Sequence, residues 1–218
     1  ISDLGEFVGT TDIYGDVTND GTMYASDDIL ISQDLINNDL ISINRGVLYV
    51  FENLENNGTI LGEVDGGPGL RGGDGPSPGD GMRILGNYTA GQDATLYMQN
   101  SNWELSVGGN FDVAIDDSSR FDMSMATLAI INNGIADVQQ IEVISTDMGA
   151  TEDALTPSEG AFPIDTLRIN SGSRIVELVD FNDNDGDSQK ISEVMYVRNL
   201  VVNSGATLHT NGYIIYTS

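Results

Sequence analysis

Corners that pair an asparagine with a glycine recur along the chain and constrain its fold more than any other feature. Glycine supplies the positive φ that a tight corner needs, and asparagine can bond to its own backbone or to the asparagine of an adjacent coil. Their unequal spacing fits coils of roughly 20 or more residues joined by loops of variable length. The corners are "NDGT" at Asn19, "NRGV" at Asn44, "NNGT" at Asn56, "NNGI" at Asn132, "NSGS" at Asn170 and "NSGA" at Asn203.

The segments between these corners predict an all-β chain. Runs such as "DILIS", "VLYVF", "TLYMQ" and "YIIYTS" alternate or are β-branched, and turn residues bound them. We therefore predict a right-handed parallel β-helix, or solenoid, with inserted loops. A β-sandwich with asparagine-glycine hairpins is the alternative, although it would favour more regular two-residue hairpins. Only "SDDILISQDLINN" and "GIADVQQ" have any helical character, and both read nearly as well as strand.

Two segments interrupt this pattern and suggest the domain organisation. Residues 65–81, "DGGPGLRGGDGPSPGDG", are too rich in glycine and proline for regular structure, so we predict a long loop. It is either a decoration, which we prefer, or a Ca²⁺-binding loop that uses Asp65, Asp74 and Asp80. Acidic residues 146–163 are predicted to connect N-terminal coils in residues 1–145 with C-terminal coils in residues 164–218, which either continue the first set or form a separate unit.

The charge of the chain excludes several classes of partner. Thirty-four acidic residues against eight basic ones give a formal net charge of −26, which repels phosphate backbones and anionic membrane surfaces. We predict no nucleic-acid partner, and no membrane insertion because no apolar run approaches the roughly 20 residues of a membrane span. Such a chain depends on salt or divalent cations. The absence of cysteine excludes disulfides, thiolate metal sites and thiol nucleophiles.

The most acidic loop, "VDFNDNDGDSQK" at residues 179–190, is a candidate calcium site. Hard cations take six to eight oxygen ligands, and closely spaced Asp and Asn side chains around a glycine turn supply them. The helical Ca²⁺-loop template fails here, because glycine in its sixth place would put Phe181 first. A looser site and a metal-free solvated corner both remain open. The candidate metal ligands are Asp180, Asn182, Asp183, Asp185 and Asp187.

Catalytic motifs are weak, and we predict that the protein is not an enzyme. The one histidine, His209, precedes a turn and has no nucleophile motif beside it. A polysaccharide lyase would combine acidic Ca²⁺ ligands with a basic residue that removes a proton, and five arginines fit equally: Arg83, Arg120, Arg168, Arg174 and Arg198. Trp103, with Tyr88 and Tyr97 nearby, could form a platform on which sugars stack, although a tryptophan in the core is the more common arrangement.

The C-terminal third resembles a known family. Residues 138–218, with "FPIDTLRINSGSRIVELVDFNDNDGD" and "SEVMYVRNLVVNSGATLHTNGYIIY", resemble the end module of large secreted bacterial surface proteins of the planctomycete type, which is similar to β-helical autotransporter passengers. The resemblance implies an exported β-helix without known catalysis. Val194 and Met195 replace the usual Ala-Leu, and His209 replaces Asp or Asn. The matching residues are Glu193, Tyr196, Val197, Gly205, Thr207, Leu208, Asn211, Gly212 and Tyr216.

We predict that copies of this chain are its main partners. The sequences "LGEFVG" and "GYIIYTS" lack the polar caps that stop a solenoid from adding strands. The resemblance implies an extracellular or cell-surface structural protein. The uncapped ends predict that it is a calcium-assisted fibre subunit, joined end to end by strand addition. An adhesin or carbohydrate-binding module that contacts glycans is the alternative, and a lyase-like enzyme the third. "NGT" at Asn57 and "NYT" at Asn87 are potential glycan acceptors.

Overall fold

The computed structural model describes residues 5–7, 10–62, 80–132, 137–170, 175–184 and 193–218. Every named strand pair among these residues is parallel. The chain turns a corner after each short strand and returns to the same face one coil later. This arrangement confirms the predicted parallel β-helix and is incompatible with the β-sandwich, whose sheets are antiparallel.

Twenty-two strands, numbered β1 to β22 in chain order, form three faces. The first face contains β1 (Gly5–Phe7), β4 (Thr22–Ala25), β7 (Leu40–Ile43), β10 (Thr59–Gly62), β13 (Thr95–Met98) and β22 (Ile214–Thr217). The second face contains β2 (Thr11–Ile13), β5 (Ile29–Ile31), β8 (Val47–Val50), β11 (Gly81–Ile84), β14 (Glu104–Val107) and most of β18 (Ile164–Asn170). The third face contains β3 (Val17–Asn19), β6 (Leu35–Asn37), β9 (Leu54–Asn56), β12 (Tyr88–Ala90), β15 (Phe111–Val113), β17 (Val138–Glu142), β19 (Ile175–Val179) and β21 (Thr207–His209).

Two long strands each serve both the first and the second face. The start of β16 (Phe121–Ile131) pairs with β13, and its later part pairs with β14. On its other side β16 pairs with β18, and that pairing shifts register between Met123 and Thr127. The long strand β20 (Val194–Val202) follows the same path one coil beyond β18. Because β18 also reaches the first face at Ile164, the described residues build nine levels on that face and eight on each of the others.

Apolar side chains of all three faces point inward and form one core along the axis. On the second face, for example, one row of inward-pointing side chains runs from level to level through the whole β-helix. Its middle residues, such as Ile31 and Val107, are fully buried. A strand of a β-helix buries every second side chain, so each coil removes apolar surface only by stacking on its neighbours. The core therefore spans the β-helix without a break.

Buried asparagines form a hydrogen-bonded ladder inside the first coils. The Nδ2 of Asn19 donates to Asn37 Oδ1 at 2.8 Å, and Asn37 Nδ2 donates to Asn56 Oδ1 at 2.8 Å. All three side chains are fully buried. The predicted stacking of asparagine on asparagine is thus confirmed, and a second stack joins Asn203 to Asn170.

A second polar row lines the corner that precedes the third face. Over the first six levels of that face, a side-chain oxygen of one coil accepts the backbone N–H of the corresponding residue in the next coil. This bond satisfies a donor that the turn would leave unpaired. The five donor–acceptor pairs are Asp34 to Asp16 at 3.3 Å, Asn53 to Asp34 at 2.8 Å, Asn87 to Asn53 at 2.9 Å, Asn110 to Asn87 at 2.8 Å and Gln140 to Asn110 at 2.9 Å.

Within the predicted connecting segment, residues 146–163, the short 3₁₀ helix Glu152–Leu155 packs against Tyr196 on the outside of the β-helix. Phe162, near the end of the segment, belongs to the main core instead, where its ring lies 5.8 Å from that of Phe121. Strands β16 and β18 on either side of the segment pair directly, so the coils before and after it stack on each other. Of the predicted glycine-rich loop, Asp80 immediately precedes β11, whereas Asp65 and Asp74 lie outside the described residues.

Candidate functional site

The described half of the predicted calcium loop folds back onto the third face. The backbone N–H groups of Phe181 and Asn182 both donate to Glu142 Oε1, at 2.7 Å each. The side-chain amide of Asn182 donates to Asp112 Oδ1 at 2.7 Å. These contacts hold residues 180–182 against the ends of β17 and β15, which is a structural role that the acidic composition alone did not indicate.

Asn184, which was not among the predicted ligands, is the most deeply buried of the loop residues that the structure describes. Its side-chain nitrogen donates to the carbonyls of Val113 and Ile115 at 2.8 and 2.9 Å, and its backbone N–H donates to Glu193 Oε1 at 2.6 Å. It is fully buried. The side-chain amide therefore replaces a strand in satisfying the carbonyls of the coil beneath it.

The described part of the loop does not by itself form a metal site. Asp180, Asn182 and Asp183 are described, whereas Asp185 and Asp187 lie outside the described residues. Within the described ranges, no group of three His, Cys, Asp or Glu side chains has the spacing to hold a metal. Calcium binding by this loop stays a prediction.

Glu142 is the buried acid on which this loop rests. The pKa of its carboxyl is raised to about 7, mainly by burial and also by the nearby carboxylates of Asp112 and Asp180, while the two backbone N–H donors act to lower it. Its second oxygen, Oε2, has no hydrogen-bond partner among the described residues. A protonated carboxyl is therefore the stable form of Glu142 below neutral pH.

This pKa predicts a pH-dependent stability. A group whose pKa rises from 4.5 unfolded to about 7 folded stabilises the fold fully below the lower value and loses that contribution as pH rises towards 7. Glutamine keeps the acceptor but carries no titrating proton. Between about pH 5 and about pH 8, the melting temperature of the native chain should therefore fall further than that of Glu142→Gln, measured by circular dichroism in EDTA. Equal falls in the two proteins would contradict the buried, protonated state.

The structure corrects the sugar platform and confirms the arrangement preferred for Trp103, a tryptophan in the core. Trp103 is only 1% exposed and Tyr88 is fully buried, so neither ring is open to a ligand from solvent. Trp103 packs under the corner glycine Gly62, and Tyr88 stacks on Phe111 with ring centroids 5.5 Å apart. Only Tyr97 reaches the surface, where its hydroxyl donates to the carbonyl of Ser119. Aromatic spacing in the sequence could not distinguish inward from outward positions.

Most of the arginines considered as lyase bases form ion pairs. Arg168 pairs with Glu104, and the guanidinium of Arg198 lies 3.3 Å from Asp165. The guanidinium of Arg120 lies 2.8 Å from Asp93. Arg83 is exposed on β11, and Arg174 lies outside the described residues. His209 is exposed on β21, 3.6 Å from Glu177. No constellation of base and nucleophile emerges from these positions.

The last coil presents a strand edge with unusual composition. It consists of β21, β22 and residues 199–202 of β20, and we name it the acid-free edge, because no Asp or Glu occurs from Val194 to Ser218. Among the described residues, each of these segments is paired on one side only. Four aliphatic side chains are notably exposed there: Leu200 at 36%, Val201 at 40%, Val202 at 43% and Ile214 at 44%.

The first coil presents the opposite character. Strands β2 and β3 are edge strands of their sheets. We name these two strands, together with the corner after each of them, the acidic edge. Asp12, Asp16 and Asp20 are all exposed there. No lysine or arginine occurs before Arg45 in the sequence. The β-helix thus has an acidic edge at one end and an apolar edge without carboxylates at the other.

No helix in the described part of the chain is long and apolar enough to cross a membrane. No family model, no curated protein and no solved structure matches this chain, so its candidate site rests on its own geometry.

Proposed function

We propose that this chain is an extracellular or cell-surface structural protein, whose copies join end to end into a filament by strand addition. The observation that carries the proposal is the contrast between the acid-free edge and the acidic edge. Unpaired parallel edges with exposed aliphatic side chains are templates for further strands, and natural proteins usually block them with charge. Here the carboxylates that cover the rest of the molecule are missing from one edge.

Charge also favours the end-to-end direction over other contacts. With a net charge of −26, two copies repel each other strongly through their sides. The acid-free edge is the surface that a second copy approaches with the least repulsion, and Arg198 and His209 lie on or beside it. A head-to-tail interface makes a ring only if the rotation between neighbouring copies bends the chain of copies back on itself. Copies that continue a straight β-helix do not bend back, so they form a filament.

Calcium and location complete the proposal. Divalent cations would reduce repulsion between the acidic sides of neighbouring filaments, and the loop at residues 180–187 remains the predicted binding site. The extracellular or cell-surface location comes from the resemblance of residues 138–218 to secreted surface proteins. Assembly at equal ionic strength with Ca²⁺ or with EDTA separates a calcium requirement from general screening by salt.

A single added acid on the acid-free edge should weaken assembly. Val201→Asp places a carboxylate at an exposed position there, where it will repel the acidic edge of the next copy. Val138→Asp is the matched control, since Val138 is 39% exposed on β17, away from both edges. Light scattering and electron microscopy over a concentration series should show the assembly threshold rising at least about tenfold for Val201→Asp only. If the native chain stays monomeric at high concentration with Ca²⁺, the proposed function fails.

Carbohydrate binding is the second candidate, because the lining of one surface cavity includes carboxylate and hydroxyl side chains that can hydrogen-bond to sugar hydroxyls. The cavity has a volume of about 430 Å³ and lies between the 3₁₀ helix Ser118–Arg120 and residues 157–159, with Asp117, Ser119 and Glu159 in its lining. Tyr97 contacts it through Ser119. Binding on a glycan array that Tyr97→Ala abolishes would favour an adhesin over the structural role.

A further inference from the structure

The number of levels on each face sets a geometric condition on end-to-end joining. The second and third faces have eight levels each, whereas the first face has nine, from β1 to β22. If the acid-free edge of one copy meets the acidic edge of the next without a gap on the second and third faces, β22 of one copy and β1 of the next require the same level of the first face. One of the two strands must leave it.

We infer that β22 of one copy replaces β1 of the next and pairs with that copy's β4. This inference rests on the proposed end-to-end assembly and specifies its joint. The replaced strand is the shorter of the two, since β1 has three residues and β22 has four. In β1 the residue in register with Met23 is Gly5, which has no side chain to place against the core.

The register of the first face aligns β22 with β4 residue by residue. Following Cα partners from coil to coil, Ile215 falls in the same inward row as Met23. Ile215 therefore supplies at this level the apolar side chain that Gly5 lacks. Ile214 falls in the row of Thr22, which extends the pairing one residue beyond β1.

Tyrosines mark the same register on the outside. The ring of Tyr216 already stacks on that of Tyr196, with centroids 5.2 Å apart and planes 15° apart. The next residue in this outward row, one level further into the second copy, is Tyr24, which is 45% exposed. Replacement of β1 therefore extends the stack to a third ring, whereas the residue of β1 in register with Tyr24 is Glu6, which has no ring.

The other two faces match in the same arrangement. On the second face the inward row that ends at Val202 begins at Ile13, so two exposed or half-buried aliphatic residues cover each other. On the third face, His209 lies in the polar corner row that begins at Asp16. The joint therefore places the imidazole of one copy, which can donate a hydrogen bond, next to a carboxylate of the next, which can accept one.

A cysteine pair tests this joint directly, because the chain has no cysteine of its own. Adjacent parallel strands hold paired Cα atoms at about 5 Å, which is within disulfide range. We expect the double variant Tyr24→Cys/Tyr216→Cys to form a ladder of covalent oligomers under mild oxidation. Within one copy the two positions are seven levels, or roughly 34 Å, apart, so only a bond between copies can form. Non-reducing electrophoresis and peptide mapping identify the bond.

Two further pairs make the result decisive. Tyr97→Cys/Tyr216→Cys uses the same outward row in the middle of the β-helix and should not cross-link. Glu6→Cys/Tyr216→Cys reports a joint in which β1 stays in place and stacks on β22. Cross-linking of that pair, or of none of the pairs in chains that do form filaments, overturns the strand replacement while leaving the proposed function standing. Absence of both cross-links and filaments overturns the two together.

Discussion

Replacing Trp103 with alanine should destabilise the fold by about 3–5 kcal/mol, the usual cost of removing a large buried aromatic side chain. Trp103 is 1% exposed and fills the corner between the first and second faces, where Gly62 leaves room for its ring. A β-helix has a narrow core, so few neighbouring side chains can move into the cavity. Urea unfolding followed by circular dichroism measures the change.

Phe51→Ala is the matched control for this substitution. Phe51 is also aromatic and adjoins a corner, but it is 45% exposed, so its loss should cost no more than about 0.5 kcal/mol. Similar losses of stability in the two variants would mean that Trp103 does not occupy the core. That outcome would restore Trp103 as a candidate for sugar stacking.

Replacing Asn37 with alanine should lower the free energy of unfolding by about 2–4 kcal/mol, because it breaks the asparagine ladder at its centre. Each buried polar atom left without a hydrogen-bond partner costs roughly 1–3 kcal/mol. The side chain accepts from Asn19 Nδ2 and donates to Asn56 Oδ1 and to two backbone carbonyls. Its removal leaves Asn56 Oδ1 without this donor in a dry interior. Thermal and urea unfolding measure the loss.

The neighbouring residue supplies the control. Asn38 is exposed, and its side chain donates to Asp20 Oδ1 at 2.8 Å on the surface. Because water replaces such a bond readily, Asn38→Ala should change the free energy of unfolding by less than about 0.5 kcal/mol. If Asn37→Ala is as mild as Asn38→Ala, the ladder adds little to stability.

The sequence predicts the fold well because corner chemistry is local. Glycine after asparagine identifies a turn without knowledge of distant residues, and the stacks of Asn19 with Asn56, through Asn37, and of Asn203 with Asn170 follow from it. Asn37 itself does not match the asparagine-glycine motif, because its sequence "NND" contains no glycine. Only the vertical alignment of coils shows that it belongs to the ladder.

The candidate site is harder to predict because it depends on register between distant segments. Glu142 reads as an ordinary strand residue in "VQQIEVI", and its burial comes from a loop about 40 residues later that folds back over it. Trp103 and Tyr88 looked like surface candidates because a sequence does not show which side of a coil is inside. To predict that Tyr216 aligns with Tyr24, one must likewise know which residues pair in every strand between them.

The axial repeat of the filament tests the central claim most directly. If β22 of one copy replaces β1 of the next, each copy adds eight levels, and cryo-electron microscopy should show a subunit repeat of about 38 Å with strand spacing near 4.8 Å along the axis. Copies that stack with both strands in place would instead repeat every nine levels, at about 43 Å. A repeat near that larger value would contradict the strand replacement, and particles joined through their sides would contradict end-to-end assembly itself.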